Sequence, residues 1–238
     1  MSAPVEGVIP SPNIWSSPDV YELENTGVDR SGVLDAALRE VADWTGRDVL
    51  DVGCGAGFHL PRLAATARSV VGVEPHPPLV ERARARVAGL RTATGGPVRV
   101  VAAGAAATGL PDTSVDVVQA RWAYFFGPGC EPGLAELARV VRPGGTACVV
   151  DVDATRSTFG GSFRRTWPDY DPDAVDRFWR RQGWTTDRLS VDWSWPTREQ
   201  FEAVLRIELS PEAADRVLAE DPERTGCDYG VVLRWRRY

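Results

Sequence analysis

Val49-Leu50-Asp51-Val52-Gly53-Cys54-Gly55-Ala56-Gly57-Phe58 sets an apolar run against an acid and then places glycines at alternate positions. Val49, Leu50 and Val52 suit a buried, pleated strand. The glycines let the main chain turn tightly and come close to a ligand, because no Cβ stands in the way. The composition from His59 to Arg68 predicts a helix. A strand, a glycine loop and a helix start together leave free backbone N–H groups at a crevice beside the carboxyl end of a sheet. That crevice suits a nucleotide-like ligand.

Two ligand classes compete for it. The dinucleotide fingerprint G-x-G-x-x-G seats a pyrophosphate on the helix N-terminus. Here the third glycine comes one residue early, at Gly57, and Phe58 takes the fingerprint position. Asp51 is a second departure, since a carboxylate just before the loop repels pyrophosphate and suits an ammonium group. Both favour a ligand with a positive end.

Downstream, Ser69 to Glu74 reads as a second strand ending in an acid, followed by a helix over Pro77 to Ala88. In a β-α-β unit of this kind the terminal acid lies across the crevice, where it can accept the hydroxyls of a ribose. Pro97 to Ala102 supplies a third strand. Leu110 to Ala120 gives a turn and a fourth strand that ends near Arg121-Trp122, with Asp116 stabilising the turn. The aromatic run Trp122, Tyr124, Phe125 and Phe126 follows at the sheet edge where ligands sit. A helix over Pro132 to Val141 runs into a glycine turn at Gly144-Gly145 and a strand from Thr146 to Val152, with Asp151 and Asp153 at its carboxyl end.

Upstream, Val33 to Val41 has helical spacing. Residues 1–30 read as an N-terminal arm, whose first 18 residues, with Pro4, Pro10, Pro12 and Pro18, are expected to be extended or mobile until something packs on them. Trp15 and Tyr21 would lay aromatic surface over a pocket. Beyond the fifth strand, 154–172 reads as a lid or substrate segment. The remainder predicts a helix from Asp173 to Gln182, a strand from Trp184 to Trp195, two short helices (Arg198 to Glu208, Pro211 to Glu220) and a last strand from Asp228 to Tyr238.

A chain of 238 residues with 43% hydrophobic side chains can bury one sizeable core, so a single domain over 1–238 is expected. The net charge of -6 gives no general attraction to phosphate backbones, which disfavours nucleic acid as a partner. Every basic side chain is Arg apart from the two histidines, and the absence of Lys excludes Schiff-base chemistry on lysine. The four cysteines show no paired spacing, so no metal site is expected. No run approaches the roughly 20 apolar residues that span a bilayer, and a soluble, cytoplasmic protein with no membrane partner is expected. No heptads or internal repeats occur, so the sequence assigns no oligomeric state.

Asp51 to Gly57, Leu110 to Asp116 and Arg139-Val140-Val141-Arg142-Pro143-Gly144-Gly145, in that order, resemble the class I S-adenosylmethionine-dependent methyltransferase family, of the small-molecule, type 11-like kind. The resemblance implies an α/β, Rossmann-like, seven-stranded, mostly parallel sheet of order 3-2-1-4-5-7-6 flanked by helices. It implies S-adenosyl-L-methionine as cofactor, with Asp51, Gly53, Cys54, Gly55 and Gly57 at the methionine end and Glu74, beside Pro75, at the ribose. The backbone of Ala105 would meet the adenine edge. Arg121 would approach the methionine end through its carbonyl, because its own charge repels a sulfonium. The acid that the family places after the third strand is replaced here by Ala103-Gly104-Ala105-Ala106.

Such an enzyme works mainly by positioning and exclusion of water. His59, Tyr21, Tyr124 and Asp153 are the candidates for a general base should the acceptor have to lose a proton. Trp15, Trp122, Tyr124 and Phe125 are the candidates for an acceptor pocket, with Trp167, Trp193 and Trp195 as further aromatic surface. The Asn-Pro-Pro-aromatic motif and a Pro-Cys nucleophile are both absent, which favours a small-molecule acceptor over DNA. A nicotinamide-dependent oxidoreductase and a catalytically silent nucleotide-binding partner are the alternatives.

Overall fold

Two prolines of the N-terminal arm, Pro12 and Pro18, open helices rather than extending the chain. In a computed structural model describing residues 8–238, α1 (Pro12–Ser16) and α2 (Pro18–Gly27) each begin on a proline. A proline at the first helical position carries a suitable φ and gives up an N–H that would have no partner there. The extended reading is thereby corrected for Pro12 and Pro18, while Pro4 lies outside the described residues.

Helix α3 (Val33–Val41) follows, burying Leu34 and Leu38, and leads to the central strand β1 (Asp48–Val52). The glycine loop then enters α4 (Leu60–Ala64). This helix is shorter than the composition from 59 to 68 predicts. It tightens at once into i→i−3 bonds, Ala65 N to Arg62 O and Thr66 N to Leu63 O, both at 3.3 Å. Next come β2 (Ser69–Glu74), α5 (Pro77–Arg86), β3 (Val98–Ala102), β4 (Val115–Arg121) and α6 (Glu131–Val140).

Strand β5 (Val141–Val152) already includes the residues expected as a turn. Val115 pairs with Val141 but Val117 pairs with Thr146, so residues 142–145 bulge out opposite Asp116. Gly144 takes φ +83, and a Cβ on Gly145 would lie 2.7 Å from the Asp116 carbonyl, which explains the glycine pair. Asp116 accepts from Asp48 N at 2.8 Å and pairs with Arg68 and Arg142, tying the starts of β1 and β4 to this bulge.

The chain continues through α7 (Thr158–Thr166), α8 (Pro172–Arg181), β6 (Thr185–Ser194), α9 (Arg198–Glu208), α10 (Pro211–Glu220) and β7 (Gly226–Arg237). The sheet order is β3-β2-β1-β4-β5-β7-β6, parallel except for β7, which runs antiparallel to both neighbours. This is the seven-stranded order expected.

Each sheet face has its own core. Val49, Val70, Val117 and Val150 pack with α3, α9 and α10 side chains on one face. Leu50, Val71, Val118 and Val149 pack with those of α6 and α8 on the other. The parallel strands β1, β2 and β4 therefore read as nearly continuous apolar runs. Among the described residues no helix is long and apolar enough to cross a membrane.

Candidate functional site

A cavity of about 630 Å³ opens over the carboxyl ends of β1, β2, β4 and β5 and is roofed by α1, α2 and α7. Its size is in the usual range for small-molecule sites, about 300–1,000 Å³.

The floor is the glycine loop. Gly53 N and Cys54 N donate to Val73 O at 2.8 and 3.0 Å, which folds the loop over the end of β2. Gly53 takes φ +71, and a Cβ there would lie 2.4 Å from the Cβ of Ala123. Trp122 and Tyr124, on either side of Ala123, both adopt positive φ, +48 and +55. Such backbone is strained for non-glycine residues and clusters at functional sites. Here it lets the loop after β4 press against the glycine floor.

Glu74, 4% exposed, is held by both carboxylate oxygens. Oε2 accepts from Gly55 N at 3.1 Å and Oε1 from His76 N at 2.9 Å. Burial pushes its pKa up and these two N–H groups pull it back. Asp51 is 3% exposed and lines the cavity with no ion-pair partner among the described residues. Burial pushes it up to about 7, with Arg121 and Arg62 acting the other way. Arg121 lines the same wall, its guanidinium donating to Gln119 Oε1 at 3.2 and 2.9 Å. Gln119 pairs with Asp51 across the strands. Burial lowers Arg121 to about 10.

Of the expected cofactor residues, Asp51, Gly53, Cys54, Gly55, Glu74, Pro75, Ala105 and Arg121 all line this one cavity. Gly57 does not. Its φ is +79 and a Cβ would meet the Cα of Ala83 at 3.2 Å, so it serves the approach of α5 instead. Ala103 and Gly104 join Ala105 on the wall where the family's acid is missing.

Among the acceptor-pocket candidates, Trp15, Trp122 and Tyr124 line the cavity, and Trp15 stacks on His76 at 4.2 Å. Phe125 is a correction. It is 1% exposed and buried in the core beneath, because the strained turn at Tyr124 points its neighbour Phe126 outward to the cavity instead. Trp167 lines the rim, whereas Trp193 and Trp195 are core residues.

Among the proton-transfer candidates, His59, Tyr21 and Tyr124 line the cavity. Burial and the nearby Arg121 push His59 well below the usual imidazole range, keeping it neutral. Asp153 is a further correction. It lies off the cavity, paired with Arg188 at 2.7 Å and Arg156 at 2.9 Å, and these partners lock it as a carboxylate. The acid of β5 that does line the cavity is Asp151, which is 4% exposed and pushed up to about 6 by burial.

Three further cavity residues, Glu24, Glu208 and Phe159, were not singled out by the sequence. Glu24 lies in the N-terminal arm and Glu208 at the end of an expected helix, with nothing in the sequence to set either apart, and the packing of α2 on α9 brings both to the cavity. Phe159, on α7, falls in the 154–172 segment expected as a lid or substrate segment. The four cysteines are free, and no three His, Cys, Asp or Glu side chains group as for a metal ion among the described residues.

Residues 50–149 match the family model of the methyltransferase domain. An uncharacterised methyltransferase of Mycobacterium bovis is 33% identical over 116 residues, covering 49% of this chain and 56% of that protein. The match thus spans little more than half of that relative. A SAM-dependent methyltransferase from Aquifex aeolicus superposes with a TM-score of 0.54 at 20% identity, covering 91% of this chain and 98% of that one. The cyclase SpnF superposes at 0.60 and 18% identity, covering 97% and 98%. These two structures share the fold alone.

Proposed function

We propose that the chain, which matches the methyltransferase domain over residues 50–149, is a class I S-adenosylmethionine-dependent methyltransferase that transfers the cofactor's methyl group to a small organic acceptor held in the aromatic-lined cavity. The observation that carries this reading is the convergence of Asp51, Glu74 and the glycine loop on one cavity with Trp122 and Tyr124.

The residues present fit the cofactor. A buried carboxylate without a cation is costly, and Asp51 opens onto the cavity in that state, complementary to an ammonium group. Glu74, held rigidly by Gly55 and His76, would accept the ribose hydroxyls. The backbone of Ala103 to Ala105 would meet the adenine edge. When bound, S-adenosylmethionine supplies a methyl group on a positively charged sulfur.

The chain's own work is then orientation and exclusion of water, which can be worth about 7–11 kcal/mol in well-aligned cases. Trp15, Trp122 and the α7 side chains would hold the acceptor and keep water out. Where the acceptor has to lose a proton, Asp151 replaces Asp153 as the group to take it. The net charge of -6 supports a small molecule over a nucleic acid.

A shared fold with a cyclase makes cofactor binding alone an insufficient test. Calorimetry should find S-adenosylhomocysteine binding well below about a millimolar, weakened by Glu74→Ala, and labelled S-adenosylmethionine should lose its methyl to some member of a small-molecule panel. No binding at that concentration would sink the reading. Tight binding without transfer to any acceptor would instead favour the silent or cyclase-like alternative.

A further inference from the structure

Acids outnumber bases around the cavity. Among the described residues, seven carboxyl side chains line it against one arginine, Arg121, and His59 is held neutral. Asp51 and Glu74 face the cofactor end, which leaves Glu24, Asp151 and Glu208 as the inner acids without a cofactor role.

Glu24, on α2, is 8% exposed. Its Oε1 accepts from Trp193 Nε1 at 3.2 Å, while Oε2 is buried with no hydrogen-bond partner among the described residues. Glu208 closes α9, which packs against α2, and accepts from Asn13 Nδ2 of α1. No arginine pairs with either. Burial first, then Glu208, pushes Glu24 well above the usual carboxylate range. Two neighbouring carboxyls, Glu24 buried and Glu208 half-buried, do not readily both ionise unless a proton or another cation joins them. The nearby cavity wall is aromatic, from Tyr21, Trp122, Phe159, Phe163 and Tyr229, and aromatic faces attract cations. An apolar enclosure with an acidic corner that no arginine neutralises is complementary to an organic cation.

We propose that the Glu24–Glu208 pair is the subsite for a cationic nitrogen of the acceptor, so that the substrate class is organic amines with an apolar or aromatic body. The proposal rests on the methyltransferase reading for the word acceptor and on the geometry for the amine. The amine anchors the substrate by charge, and the aromatic wall holds its body.

The test uses the full chain saturated with S-adenosylhomocysteine and a panel of arylalkyl amines, each matched with the alcohol of the same skeleton, such as phenethylamine with phenethyl alcohol and tryptamine with tryptophol. At least one amine should bind about tenfold or more tightly than its alcohol, about 1.4 kcal/mol. Glu24→Gln and Glu208→Gln should each shrink that preference to about twofold or less while S-adenosylhomocysteine binds as before, which also shows that the variants are folded. A panel with no amine preferred, or a preference that survives both substitutions, overturns the proposal. If wild-type protein fails to bind S-adenosylhomocysteine, the methyltransferase reading falls instead. Binding of that ligand without any amine preference removes only the subsite.

Discussion

Burial pushes the Asp51 carboxyl up to about 7, whereas an aspartate in an unfolded chain titrates near about 3.9. Between those values the folded protein holds a proton that the unfolded chain has lost. The resulting stabilisation is full below the lower value and disappears as pH rises through the upper one, with a slope of at most about 1.4 kcal/mol per pH unit. Denaturant titrations of the free protein at pH 5 and pH 8 should show wild type losing stability relative to Asp51→Asn. A cofactor ammonium prefers the ionised carboxylate, so S-adenosylhomocysteine affinity should rise from pH 5.5 towards 7 and level off above it. Asp51→Asn should flatten that profile and weaken binding at pH 8 by about tenfold or more, the worth of a charge-assisted hydrogen bond. Asp151, pushed up to about 6, gives a separable effect. Asp151→Asn should lower kcat by about 100-fold or more with cofactor affinity intact, if it takes a proton in the reaction. Asp51 and Glu74 were legible in the sequence because Asp51 lies just before the glycine loop and Glu74 ends the next strand. Asp151 and Asp153 were indistinguishable there, because what separates them is the pair of arginines, Arg156 and Arg188, that hold Asp153. One of the two comes from a strand far along the chain.

At the scale of elements, the sheet was readable throughout, since apolar strands bounded by glycine and proline leave few alternatives. The roof was not. Helix α1 is five residues long, buries none of them, and falls well below the length at which a helix holds in isolation. Only tertiary contacts keep it, namely Trp15 on His76, Ile14 over Gly55 and Asn13 to Glu208. Nothing local in a proline-rich stretch announces such contacts. The same dependence predicts that the roof opens first. In hydrogen exchange, the amides of Trp15, Ser17 and Tyr21, bonded to Ser11, Asn13 and Ser17 carbonyls, should exchange quickly in the free protein and slow markedly with S-adenosylhomocysteine bound. Trp15→Ala should speed ligand release several-fold while leaving the melting temperature of the free protein nearly unchanged. An unchanged release rate would mean that α1 is a bystander.

For the whole molecule, the cavity lies where the two cores meet the sheet edge, with walls drawn from β1, β2, β4, β5 and the helices α1, α2 and α7. A ligand there bridges elements from the start of the chain to α9, whose Glu208 also lines the cavity, so binding should stabilise the chain as one unit rather than one local segment. The expected gain is set by mass action: at a ligand concentration of about 100 times Kd it is about 2.7 kcal/mol. For a protein of this length each kcal/mol raises Tm by about 2–4 °C. S-adenosylhomocysteine should therefore raise the melting temperature by about 5–10 °C, in a single transition that moves as a whole. Gly53→Ala should abolish the shift, because the added Cβ would lie 2.4 Å from the Cβ of Ala123 at a backbone φ of +71, pushing the glycine floor and the Trp122–Tyr124 loop apart. Should the variant melt at the wild-type temperature without ligand and still gain the full shift with it, the close approach of that loop to the floor would have no part in holding the ligand.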